Sequence, residues 1–222
     1  RRFFDEVVRL ARKDKLLSSD HFTVDGTLID AWASFKSFKR KDDKEPPKPG
    51  DGTGMVDFKG EKRSNATHQS TTDPEAKLMR KGNGQPARLS YGGHALMENR
   101  SGLCVDLLIT DATLAEHQAA RQLLTRARRR KIHPKTLGAD KGYHVKDFVQ
   151  HLREHKIKPH IARIDGRKTP GLDGRTSCTE GYKVSQRKRK RVEEIFGWLK
   201  TVGEMRKTRF IGEARTQIAA YL

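Results

Sequence analysis

Leu89-Ser90-Tyr91-Gly92-Gly93-His94-Ala95-Leu96-Met97, then Glu98-Asn99-Arg100-Ser101-Gly102, then Leu103-Cys104-Val105-Asp106-Leu107-Leu108-Ile109-Thr110: two apolar stretches flank a polar segment that closes on glycine. The pattern predicts an antiparallel hairpin with a five-residue turn. Downstream, Thr113-Leu114-Ala115-Glu116 matches a capping box, opening a helix that runs to about Arg129. Thr136–Ala139 reads as a short buried strand ending at Asp140-Lys141-Gly142. Val145–Lys156 follows as a helix, with Val145, Phe148, Val149 and Leu152 on one face. Lys158–Ala162 is a further strand, residues 163–185 a Gly- and Arg-rich loop, and Gln186 to about Val202 a helix.

Upstream of the hairpin, Phe22–Ile29 is short, rich in β-branched residues and strand-like. Residues 3–17 carry apolar residues at helical spacing, and 1–20 read as the remnant of an N-terminal helical region. Residues 36–66 are polar, with Lys39-Arg40-Lys41, Pro46-Pro47 and the loop Gly50-Asp51-Gly52-Thr53-Gly54. Asp73-Pro74-Glu75 looks like a helix start, and the whole stretch from about 36 to 87 is expected to be an insertion. An antiparallel hairpin followed by alternating helices and strands gives an α/β fold, a mixed sheet flanked by helices. That order matches the ribonuclease-H-like fold, here over residues 21–222.

The chain carries 47 basic against 28 acidic residues, a net charge of +19, which makes a polyanion the default partner. No run of eighteen apolar residues exists, so a membrane span is excluded. Two cysteines, Cys104 and Cys178, form neither a disulfide framework nor a zinc pattern and suit a reducing cytoplasm. The chain begins without Met and ends inside an apolar helical pattern, and is expected to be a fragment of a longer protein.

Three carboxylates sit where a core does not want them. Asp25 lies mid-strand, where Asp is disfavoured and an unpaired buried charge is costly; the alternative is a polar edge position. Asp140 follows a strand's carboxyl end, where open α/β sheets bind ligands; the alternative is an ordinary helix cap. For Glu193, a helical wheel groups Val192, Ile195, Phe196 and Leu199 in one apolar arc. Arg189, Glu193 and Lys200 border that arc, whereas Glu194 points away from it; a plain surface salt-bridge network is the alternative. Converging carboxylates need a cation between them. Mg²⁺ prefers such oxygens, and two ions together can drive displacement at phosphorus.

The residues also resemble bacterial insertion-sequence DDE transposases, of the group typified by insertion sequences four and five. Val24 to Ser34 resembles that family's first-Asp segment, and Asp57 to Ala76 its middle block. Gly138-Ala139-Asp140-Lys141-Gly142-Tyr143 resembles the second-Asp block, and Arg191 to Lys200 the Glu block. The family's Tyr, Arg, Glu, Lys signature falls on Gln186, Arg189, Glu193 and Lys200, so the Tyr position departs. The resemblance implies a ribonuclease-H-like catalytic domain in which Asp25, Asp140 and Glu193 hold two Mg²⁺ ions, with Mn²⁺ as a substitute. It implies cleavage at transposon ends, then attack of the freed 3′-hydroxyl on target DNA without a covalent protein intermediate. Double-stranded DNA is the expected partner, with a homodimer in the synaptic complex, in a bacterial, nucleoid-associated cytoplasmic setting. Arg187, Lys188, Arg189, Lys190, Arg191 and Lys200 are the expected DNA contacts. The rival is a non-catalytic DNA-binding remnant that keeps fold and charge.

Other signals carry less. His151-Leu152-Arg153-Glu154-His155 matches the H-x-x-E-H pattern of a zinc peptidase, but no third ligand stands at a suitable spacing. Trp32 and Trp198 read as packing residues, and Arg126–Lys131 as a second basic candidate for DNA.

Overall fold

The computed structural model describes residues 1–42 and 63–222. The Gly50–Gly54 loop, the Pro46-Pro47 pair and the middle-block residues Asp57–Lys62 lie outside the described residues. Helix α1 (Arg2–Lys13) leads into strand β1 (His21–Asp30). Three short strands follow: β2 (Phe38–Arg40), β3 (His68–Ser70) and β4 (Lys77–Met79). The long hairpin is β5 (Arg88–Glu98) and β6 (Leu103–Asp111), and α2 (Glu116–Arg129) follows it. Then come β7 (Thr136–Ala139), α3 (Lys146–Glu154) and β8 (Lys158–Ile161). Helices α4 (Gly174–Ser177), α5 (Glu180–Lys188), α6 (Val192–Thr201) and α7 (Glu213–Ala220) complete the chain.

The hairpin forms as the sequence predicts, with a register shift between Leu96 and Met97. β5 lies antiparallel between β6 and β1, while β1, β7 and β8 run parallel. This mixed, helix-flanked sheet is the ribonuclease-H-like arrangement. Its pleat divides the core in two. Phe22, Val24, Leu96 and Leu137 pack under α1, α2 and α3, with Val8, Leu123 and Phe148 among the buried partners. Ile29, Ala31, Tyr91 and Ile109 pack on the opposite face, under α6 and α7, against Val192, Phe196 and Ala220.

Four local expectations fail, each for a traceable reason. Asp73-Pro74-Glu75 opens no helix, because Asp73 is fully buried and accepts the Tyr91 hydroxyl at 2.7 Å, and β4 follows. The stretch 163–185 is not all loop: Asp173 caps α4 and the Thr179 hydroxyl caps α5 by accepting from the Tyr182 N–H. The helix expected from Gln186 to Val202 is two helices, α5 and α6, joined by a 3₁₀ turn over Arg189–Arg191. Trp32 and Trp198 stay out of the core, 51% and 67% exposed at the surface, with the Lys207 ammonium over the Trp32 ring at 5.3 Å. Among the described residues, no helix is long and apolar enough to cross a membrane.

Candidate active site

A notch in the sheet brings the acidic residues together. β7 pairs only with His21–Thr23 of β1 and stops at Ala139. Further along that edge, β1 is next bridged at Asp30, by Lys207. Asp25 lies in the gap between, and Asp140 hangs from the end of β7 at nearly the same level. Pleat alternation puts Asp25 and Thr27 on the Ile29 face, under α6, and Gly26 on the Val24 face, under α2. Through the notch, side chains from both faces can approach the same carboxylates.

Each aspartate accepts a backbone N–H from a glycine close by in the chain. Asp25 accepts the Gly26 N–H at 2.8 Å, and Asp140 accepts the Gly142 N–H at 2.8 Å while capping a 3₁₀ turn over Lys141–Tyr143. Burial raises the Asp25 carboxyl above the ordinary carboxylate range; the Gly26 N–H opposes this, Asp140 and Glu193 add to it, and Arg189 lowers it. Glu193 and Glu194 are both exposed in the first turn of α6, and the charge of Glu193 acts on Asp25. Asp25 and Asp140 line one cleft, and Glu193, on α6, is close enough for its charge to act on Asp25.

A fourth carboxylate joins them that the sequence reading assigned to a helix cap. The N-cap of α2 is Ala115, and the Thr113 N–H is taken by the Asp111 carboxylate at 2.7 Å. Glu116 is thus released from the capping box, as the first residue of α2. Its residue surface is open to solvent, but its carboxyl end is lodged among the others: Glu116 Oε1 lies 3.0 Å from where a Cβ on Gly26 would sit. Burial of that end, with Asp140 and Asp25 close by, pushes the Glu116 carboxyl up to about 7. Asp25, Asp140 and Glu116 line one cleft of about 440 Å³. The signal for Glu116 in the sequence was Asp111, a second candidate cap two residues before Thr113.

The cations divide by what they touch. Arg189 is half-buried and donates to the Gln186 side chain at 3.1 Å, and Gln186, at the signature Tyr position, donates in turn to the His160 carbonyl. Lys200 donates to Thr27 Oγ1 at 2.6 Å, bringing α6 onto β1. Arg191 donates to the Asn99 carbonyl at 3.1 Å and covers the hairpin turn, where Gly102 has a φ of +72°. Arg187, Lys188 and Lys190 are exposed, Arg187 with a loose ion pair to Glu180 at 3.9 Å. The second basic candidate is partly structural: Arg126 and Arg130 both hold the buried Asp106, at 2.9 and 2.6 Å.

The acidic cluster is open. Among the described residues, the trio whose ligand atoms all fall within 4.8 Å of one another is His151, Glu154 and His155 on α3. There Arg121 and Arg128 add positive charge beside His151, and Gln150 donates to Glu154. Asp25, Asp140, Glu116 and Glu193 do not meet the 4.8 Å distance. Their donor set is nonetheless all oxygen, and two buried polar atoms beside it lack partners: His94 Nδ1 and Tyr143 Oη. The residues present fit a hard divalent cation.

A search among curated proteins gave no match. Two solved structures are similar over 98% of this chain: a Mos1 transposase paired-end complex with left transposon end, and a pre-cleavage Mos1 transpososome. Each is 9% identical with a TM-score of 0.32, and the chain spans 56% and 55% of their lengths. The sequence profile described as the transposase DDE domain matches residues 20–222. On that match over nearly its whole length, the chain belongs to the transposase DDE-domain family.

Proposed function

We propose that this chain is the catalytic domain of an insertion-sequence transposase, which cuts the phosphodiester at transposon ends and joins the freed 3′-hydroxyl to target DNA. One observation carries the reading: Asp25 and Asp140, from two separate elements, line one cleft at the notch beyond β7, Glu193 is near enough for its charge to act on Asp25, and Arg189 and Lys200 stand at the border. Structural neutrality gives no reason for such a gathering of like charges in a chain of net charge +19.

Asp25, Asp140 and Glu193 would hold two Mg²⁺ ions, or Mn²⁺ in their place. The chemistry such ions supply when bound is activation of the attacking oxygen and stabilisation of the leaving one, in line at phosphorus. The chain's own residues do the rest. Asp25 and Asp140 are fixed by their backbone N–H bonds, so the acceptors are preorganised rather than gathered at each turnover. Arg189, oriented by Gln186, and Lys200, anchored on Thr27, stand where a scissile phosphate and its neighbour need positive charge. Arg187, Lys188 and Lys190 extend that charge outward along duplex DNA as sequence-independent phosphate contacts. Arg191 supports the hairpin instead. A homodimer in the synaptic complex and a bacterial, nucleoid-associated setting belong to the same proposal, as does a catalytic unit over 21–222 with 1–20 leading into it.

The deciding experiment is a cleavage assay on end-labelled DNA carrying the element's own termini, with and without Mg²⁺. Mg²⁺-dependent nicking that leaves a 3′-hydroxyl is the expected result. Tight DNA binding with no cleavage in either Mg²⁺ or Mn²⁺ would establish the non-catalytic remnant instead.

A further inference from the structure

We infer that Glu116 is a fourth carboxylate of the metal centre, sharing one divalent cation with Asp25 and Asp140, while Glu193 serves the other side of Asp25. The inference rests on the metal-centre reading above and adds a ligand to it. Its first support is convergence. Asp140 Oδ1 and Glu116 Oε2 lie 3.1 and 3.2 Å from the one point where a Cβ on Gly142 would sit. Glu116 Oε1 lies 3.0 Å from the corresponding point on Gly26, the neighbour of Asp25. Two glycines thus leave open the space that the Asp140 and Glu116 carboxylates approach, and Asp25 lines the same cleft. Glu193 does not line that cleft, and it arrives on α6 from the opposite face.

The second support is independent of the carboxylates. His94 stands opposite Gly26 in the β1–β5 ladder and is 3% exposed. With its hydrogen on the Asp111 carbonyl, 3.0 Å away, Thr110 Oγ1 accepts from His94 Nε2, at 3.1 Å. The proton of His94 therefore sits on Nε2, and Nδ1 is a bare lone pair without a partner. That lone pair lies 3.1 Å from the same Gly26 point that Glu116 Oε1 approaches at 3.0 Å. A lone pair and a carboxylate oxygen facing one space repel unless something positive or proton-bearing lies between them. A hydrated cation meets both needs, with a coordinated water donating to Nδ1. The fully buried Tyr143 hydroxyl is also partnerless and lies within the field of Glu116, Asp25 and Asp140.

The bland alternative is a helix-terminal acid facing the α2 dipole. That role needs only proximity to the first turn; it requires neither the approach to Asp140 nor the pairing with His94. The test is Mn²⁺ titration of the metal-free full chain without DNA, read by electron paramagnetic resonance and calorimetry. Wild type should bind two ions. Glu116→Gln should weaken one of them by about tenfold or more, the size of a missing ligand-shell interaction, and Glu193→Gln should leave that ion bound. Should Glu116→Gln fail to fold, Glu116→Asp takes its place, with a weakening in the same direction expected. If the Glu116 variant binds Mn²⁺ like wild type while Asp25→Asn does not, the inference is overturned and the metal-centre reading stands. If Asp25→Asn and Asp140→Asn also bind like wild type, the metal-centre reading itself fails.

Discussion

Glu193 and Glu194 are adjacent and both exposed; Glu193 borders the apolar arc of α6 and its charge acts on Asp25, whereas Glu194 points away from that arc. Glu193→Gln is expected to abolish strand cleavage while DNA affinity stays nearly unchanged, because only an acidic ligand is removed. Glu194→Gln should alter neither, so equal loss of activity in the two variants would defeat the assignment. Glu116 makes a separate prediction through pH. Its folded value of about 7 lies above the ordinary 4.5, so between those values the native state holds a proton that the unfolded chain has released. Its stabilising contribution is complete below about 4.5 and disappears as pH rises through 7. In metal-free protein the melting temperature should carry this decline, and Glu116→Gln should lack it. Parallel melting curves for the two proteins across that window would refute the placement. At Tyr91 the issue is purely structural: its hydroxyl is the donor to buried Asp73. Tyr91→Phe should cost about 1.5–3 kcal/mol in denaturant unfolding, the range for a hydrogen bond to a charged group.

Among the elements, the junction of α5 and α6 differs most from its sequence reading. A continuous wheel from Gln186 onward places five successive cations around one helix, but the 3₁₀ turn over Arg189–Arg191 distributes them. Arg189 turns toward the acidic site, Arg191 toward the hairpin, and Lys188 and Lys190 outward. Replacing both Lys188 and Lys190 with Ala should weaken duplex binding similarly for all sequences. The log–log salt slope should fall by about 1 for each phosphate no longer neutralised, and cleavage at saturating enzyme should survive. An unchanged slope would mean that these lysines face only solvent. Start signals behave in the same competitive way at α2. Thr113 and Asp111 both offer a side chain to the turn before the helix, and the carboxylate, the stronger acceptor, wins. That local outcome is what releases Glu116.

At the scale of the molecule, the two faces of the sheet are tied at the β6 edge. Asp106, 1% exposed, binds Arg126 and Arg130 of α2. Arg126 also donates to the Tyr221 hydroxyl just after α7, and Arg130 pairs with Asp5 of α1 at 3.4 Å. One buried acid thereby links helices from both core layers. Burial raises the Asp106 carboxyl, and its two arginines oppose that shift. Asp106→Ala should destabilise by about 3–5 kcal/mol, since it strands two partly buried guanidinium groups; a urea midpoint close to wild type would show the network to be dispensable.

The sequence by itself determined the hairpin, the order of helices and strands, and the chemical character of the site. Those properties are local: period-two and period-3.6 patterning, a glycine closing a turn, and an Asp in a strand or at its end are written in neighbouring residues. Asp25 and Asp140 stood out for that reason, an Asp inside a strand and another at a strand's end, whereas Glu193 stood out by its place on the helical wheel. What only the tertiary structure decided is everything that depends on who competes for a partner. Whether Asp73 caps a helix or receives Tyr91, whether Glu116 closes a capping box or enters a cleft, and which cations of the 187–191 run face outward are choices between two satisfactory local solutions. For Glu116 the choice is settled where β7 stops, because the missing ladder beyond Ala139 opens the sheet to both of its faces. Chain separation hides that fact from any window of sequence: Asp25 and Glu116 meet only after β5 and β6 have folded between them.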